Sequence, residues 1–134
     1  MRQKQTSESS HNHLSEDAVK EILHRWLRKN GWETKIAWGN QRNEDIVATK
    51  PGEQWIIEVK GWAERPQQRR NYFLNALAVI LQRMKDTCTR YSIAFPNVAP
   101  YPTLWEGLPD LAKKRTKIDV LFVEANGRVT EIES

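Results

Sequence analysis

The sequence predicts an α/β fold, a mixed central sheet flanked by helices with a C-terminal helix and β-hairpin. Three observations predict it. A helix with one apolar stripe comes first, short apolar runs bounded by turn residues follow, and a long apolar helical segment separates two of those runs. The element order reads α-β-β-β-α-β-α-β-β. It is a three-stranded meander between two helices, followed by strands joined through a crossover helix.

Residues 1–12 lack apolar periodicity and read as a disordered tail, leaving 13–134 as a single domain. His11 and His13 stand in polar sequence without further ligands and receive no role. Ser15 is placed to cap the first helix, with Glu16 and Asp17 near its positive end. Val19, Ile22, Leu23, Trp26 and Leu27 form its apolar stripe, and Asn30-Gly31 stops it. Trp32 to Trp38 reads as a short strand and Gly39 to Asn43 as a loop. Ile46 to Thr49 and Gln54 to Lys60 are strands around the four-residue loop Lys50-Pro51-Gly52-Glu53.

After a polar connection containing Pro66, the segment from Arg69 to Lys85 is apolar almost all round. It is expected to be a largely buried helix. Arg90 to Phe95 is a strand ended by Pro96, and a helix is expected near Thr103 to Lys114. Ile118 to Glu124 is a strand that Asn126-Gly127 turns into a last one, Arg128 to Ile132.

Composition narrows the function classes. The mean hydropathy of −0.72 and the lack of an apolar run near the roughly 20 residues of a bilayer span argue against a membrane protein. The lone Cys88 excludes an internal disulfide or a thiolate metal cage. With no signal-peptide pattern, a cytoplasmic protein is expected. A net charge of +4 and a pI near 9.3 favour a polyanionic partner through counterion release. Most of the six Trp are expected in the core rather than as base-stacking platforms.

The stretch from Asn43 to Gly61 carries the chemistry. It sets Asp45, Glu58 and Lys60 into apolar runs, where acidic residues are depleted and an unpaired buried charge is expensive. Chance supplies about one acid-x-Lys triplet in a chain of this composition. Both Glu33-Thr34-Lys35 and Glu58-Val59-Lys60 occur, and only the second ends an apolar run, Trp55-Ile56-Ile57. Strand alternation points Glu58 and Lys60 to one face. Pairing Thr49 with Gln54 carries the register to Asp45 opposite Glu58, where two carboxylates repel unless a cation lies between them. A hard cation such as Mg²⁺ needs only one or two carboxylates because it keeps several waters.

An acid in one strand and Glu-x-Lys ending the next, within α-β-β-β-α-β, resembles the PD-(D/E)xK nuclease superfamily over roughly Leu14 to Glu124. The resemblance implies a restriction-endonuclease-like αβββαβ core and Mg²⁺-dependent DNA cleavage, with Mn²⁺ able to substitute. It implies Asp45 and Glu58 as metal ligands, Val59 as a further ligand through its backbone carbonyl, and Lys60 as the catalytic lysine. It also implies an acid on the first helix. Glu16 lies on the core-facing stripe with Val19 and Leu23, whereas the alternative, Glu21, shares a face with Arg25 and Arg28. Glu44 stands before Asp45 where the superfamily's motif has proline.

Arg42, Arg65, Arg69 and Arg70 flank the site in sequence and are expected to contact nucleic-acid phosphates. Lys113, Lys114, Arg115 and Lys117 complement a helix C-terminus instead. Two functions follow: a DNA endonuclease for repair, restriction or mobile-element processing, and a non-catalytic module binding nucleic acid or a partner on the same fold. A chain this short offers little surface for reading DNA sequence. A homodimer, which would set two sites on the two strands of a duplex, or a targeting partner protein would supply it.

Overall fold

Alternating apolar residues and tight turns build a six-stranded sheet in the order β1-β2-β3-β4-β5-β6, seen here in a computed structural model that describes residues 12–39 and 44–134. The strands are β1 (Glu33–Ile36), β2 (Ile46–Lys50), β3 (Glu53–Val59), β4 (Thr89–Pro96), β5 (Asp119–Val123) and β6 (Val129–Ile132). The helices are α1 (Glu16–Lys29), α2 (Pro66–Arg83), α3 (Tyr101–Glu106) and α4 (Asp110–Thr116). Pairing is antiparallel for β1–β2, β2–β3 and β5–β6, and parallel for β3–β4 and β4–β5. The mixed sheet flanked by helices is the architecture expected. Of the predicted tail, residues 1–11 lie outside the described residues, as do residues 40–43, which include Arg42.

The parallel strands are covered on both faces, which is why β4 and β5 are almost continuously buried. On one face Val19, Leu23 and Leu27 of α1 pack on Ile46, Ala48, Trp55, Ile57 and Val59. On the other, Phe73, Ala76 and Ile80 of α2 and Tyr101 and Trp105 of α3 pack on Ile56, Ile93, Phe95 and Phe122. Ser15 caps α1, its Oγ accepting the Ala18 N–H at 3.1 Å.

Four expectations are corrected. Helix α2 is not largely buried: Leu74 and Leu81 are 63% and 48% exposed, because a helix laid on one sheet face can bury only one stripe. The single helix near Thr103 to Lys114 is two, α3 and α4, separated by Gly107-Leu108-Pro109; Pro109 lacks the N–H a continuous helix would need. The strand expected from Trp32 to Trp38 pairs only over Glu33–Ile36. The β2–β3 turn is tighter than a four-residue loop, since Lys50 pairs with Glu53 and leaves Pro51 and Gly52 (φ 76°) between the strands. Proline followed by a positive-φ glycine suits a type II turn. Thr49 still opposes Gln54, so the register is the one expected.

Gly61, just past β3, fixes how α1 meets the sheet. A Cβ there would lie 2.3 Å from the backbone N of Glu16 and 2.7 Å from the carbonyl carbon of Ser15. The Trp62 N–H donates to the Leu14 carbonyl at 2.7 Å, and the buried Tyr101 hydroxyl donates to the Gly61 carbonyl at 2.8 Å. This close approach sets the start of α1 against the end of β3. Gly61→Ala is expected to cost about 3 kcal/mol by forcing two backbones apart. An unchanged urea midpoint for that variant would contradict the packing described.

Candidate functional site

The site forms at the rim of the sheet, where Asp45 precedes β2 and Glu58 nears the end of β3. Continuing the register of Ile46 opposite Ile57 places Asp45 opposite Glu58. Asp45 Oδ2 accepts the Val59 N–H at 2.8 Å, and its backbone carbonyl accepts the Ala37 N–H at 2.9 Å. These bonds hold the carboxylate against β3. Glu58 is buried, and the Asp45 carboxylate lies close enough to act on it. Lys60, half-buried beyond it, lies with its Nζ 5.6 Å from the Tyr72 ring centroid of α2, and its charge acts on Glu58.

Burial pushes the Glu58 carboxyl up to about 8, aided by the Asp45 carboxylate, while Lys60 and Arg83 pull it back. The folded value exceeds the ordinary 4.5, so the folded protein holds this proton more tightly than the unfolded chain. The resulting stability is fully present below the ordinary value and is lost as pH rises through about 8. In EDTA, wild type should therefore lose stability between pH 5 and 8 relative to Glu58→Gln, by up to about 1.4 kcal/mol per pH unit. Urea midpoints of the two proteins measured across that range check this, and parallel curves would contradict it.

Lys20, to which the sequence reading assigned no role, completes the rim. Its side chain is fully buried on α1, with Nζ 2.9 Å from Glu16 Oε2, 3.4 Å from Asp45 Oδ1 and 3.9 Å from Asp17 Oδ1. Nζ also donates to the Ala37 carbonyl. Burial pulls the ammonium's pKa down, but the hydrogen bond to Glu16 and the charge of Asp45 outweigh it and hold it above the ordinary lysine value. The signal was present in the sequence: Lys20 stands four residues after Glu16 and continues the Leu23–Leu27 stripe at helical spacing.

Asp45, Glu58 and Lys60 thus come together, and Glu16 reaches Asp45 only through Lys20. Glu21 pairs with Arg25 on the surface at 3.1 Å, as its shared face implied. Arg65 and Arg70 are exposed around the start of α2. Arg69 is more engaged: its guanidinium carbon lies 5.5 Å from the Trp62 ring centroid and its Nη1 donates to the Ala99 carbonyl at 3.1 Å. Arg83 follows Phe73, Ala76 and Ile80 at helical spacing along α2, and its charge acts weakly on Glu58.

Among the described residues no group of three or more His, Cys, Asp or Glu side chains could hold a metal ion. The Asp45–Glu58 pair nevertheless fits a hard cation that retains most of its waters, because two opposed carboxyl groups, one buried and one partly buried, need a positive charge or a proton between them. Val59, whose N–H binds Asp45, sits beside the pair. No described helix is long and apolar enough to cross a membrane.

No protein-family model matches the sequence, and no curated protein matches it. Among solved structures the chain is similar to an XisH family protein from Nostoc punctiforme, at 20% identity and a TM-score of 0.60, over 84% of this chain and 96% of that one. It is also similar to an fdxN element excision controlling factor protein from Anabaena variabilis, at 18% identity and a TM-score of 0.52, over 85% and 96% of the two chains. What the chain shares with both is its fold, a mixed α/β sheet flanked by helices.

Proposed function

We propose that the chain is a Mg²⁺-dependent DNA endonuclease of the PD-(D/E)xK kind, hydrolysing phosphodiester bonds. The observation that carries this reading is the opposition of Asp45 and Glu58 at the sheet rim, with Lys60 two residues further along the chain. When bound, the metal would acidify a water and stabilise charge on the phosphate. Asp45, fixed by the Val59 N–H, and Glu58 would hold it with the Val59 carbonyl, and Mn²⁺ would substitute. Lys60 would orient the attacking water and offset the negative charge that builds on the phosphate. Arg65, Arg69 and Arg70 at the start of α2, together with Arg42, would hold the DNA backbone, helped by the positive end of that helix.

Repair, restriction and mobile-element processing all need such a cut. The likeness of fold to a protein named for controlling excision of the fdxN element favours a DNA rearrangement among these. A homodimer or a partner protein would supply targeting.

The second reading is a module that binds nucleic acid or a partner without cutting. The buried Lys20 favours it, because its charge already offsets Asp45. Incubating the purified chain with plasmid, linear and branched DNA in Mg²⁺, Mn²⁺ or EDTA separates the two. Hydrolysis that EDTA stops supports the endonuclease; DNA binding without hydrolysis in either metal supports the module.

A further inference from the structure

We propose that Lys20 is a built-in counter-ion that limits this site to one divalent cation, standing where a second would bind between Glu16 and Asp45. The inference rests on the metal-site reading above and concerns a residue which that reading leaves unused. Two-metal phosphodiesterase sites hold their ions roughly 3.5–4 Å apart, bridged by a shared carboxylate. In this chain Asp45 is the carboxylate placed to bridge. Its Oδ2 receives the Val59 N–H at 2.8 Å, and its Oδ1 faces Lys20 Nζ at 3.4 Å.

The three N–H donors of an ammonium match three acceptors here: the Ala37 carbonyl, Glu16 Oε2 at 2.9 Å and Asp45 Oδ1. Glu16, the acid expected from the first helix, is therefore engaged by a cation the protein carries itself. Because Lys20 is fully buried, water cannot take its place without opening the packing of α1 on the sheet. The side of Asp45 that faces Glu58 remains for one exchangeable ion.

Lys20 is thus a positioning residue, and removing its charge while keeping its length should release Glu16 as a ligand. Titration of the full chain with Mn²⁺, followed by calorimetry and electron paramagnetic resonance, reads this directly. Wild type and Lys20→Arg are expected to bind one Mn²⁺ per chain with an uncoupled signal. Lys20→Met should bind two with an exchange-coupled signal, and adding Glu16→Gln to it should restore one. In the wild-type background Glu16→Gln should change Mn²⁺ affinity by less than about threefold, since Glu16 is not a ligand of the first ion. That arm holds even if Lys20→Met fails to fold.

Two ions on wild type would overturn the proposal. So would one ion at unchanged affinity on a folded Lys20→Met, or a tenfold loss of affinity in Glu16→Gln alone. No Mn²⁺ binding by wild type would refute the metal-site reading together with this one, whereas the other failures touch only Lys20.

Discussion

Asp45→Asn is expected to lower Mg²⁺-dependent DNA cleavage by about 1,000-fold, the largest effect on activity of any single change at the site. Asn is nearly isosteric and can still accept the Val59 N–H that Asp45 Oδ2 receives at 2.8 Å. What it loses is the negative charge that Lys20 faces from one side and that a divalent cation would share with Glu58 from the other. The loss should therefore appear in calorimetric Mg²⁺ binding as well as in rate, with the circular dichroism spectrum unchanged. A folded Asp45→Asn that cuts DNA at the wild-type rate would remove Asp45 from the chemistry.

The largest expected effect on stability lies at Trp55. Its ring is buried in β3, with Trp26 and Trp32 packed edge-on at 6.0 and 5.5 Å between centroids. The guanidinium of Arg90 lies 3.7 Å from the ring centroid, and the indole Nε1 donates to the buried Ser92 Oγ at 2.8 Å. Trp55→Ala removes the centre of the α1-side core and a hydrogen-bond partner of Ser92. It also strips the aromatic cover from Arg90, which pairs with Asp119 at 2.7 Å and Glu131 at 2.9 Å. The expected loss is about 5 kcal/mol, comparable with the whole stability of many small domains. Leu111→Ala, at an exposed position of α4, should change stability by less than about 0.5 kcal/mol. Denaturant titration of both variants checks the contrast, and a Trp55→Ala within about 1 kcal/mol of wild type would contradict it.

What could be read from the sequence was governed by periodicity and turn chemistry. The apolar alternation of Ile46, Ala48, Trp55, Ile57 and Val59 and the turn at Pro51-Gly52 fix one register, because a slip by one residue would turn every one of these side chains outward. The opposition of Asp45 and Glu58 follows from that register alone. Spacing alone does not single out Lys20, because a lysine four residues after a glutamate on a helix ordinarily forms a solvated pair. Its burial depends on Ala37, just after β1, and Asp45, just before β2, which reach it only in the folded chain. The close approach at Gly61 is likewise a tertiary fact: Ser15 and Glu16 are remote in sequence. The exposure of Leu74 and Leu81 had no local signal either, since composition says how apolar a helix is and not how much of it a sheet will cover.

The most direct test is single-turnover cleavage of supercoiled plasmid by wild type and Lys60→Ala, each with saturating Mg²⁺ and again in EDTA. Lys60 is half-buried beyond the end of β3, so its truncation should leave the fold intact and isolate the chemistry. Cleavage by wild type in Mg²⁺ alone, with Lys60→Ala at least about 100-fold slower, is the result expected. Wild-type cleavage that persists in EDTA, or a Lys60→Ala that cuts as fast as wild type, would contradict a metal-dependent nuclease built on Asp45, Glu58 and Lys60.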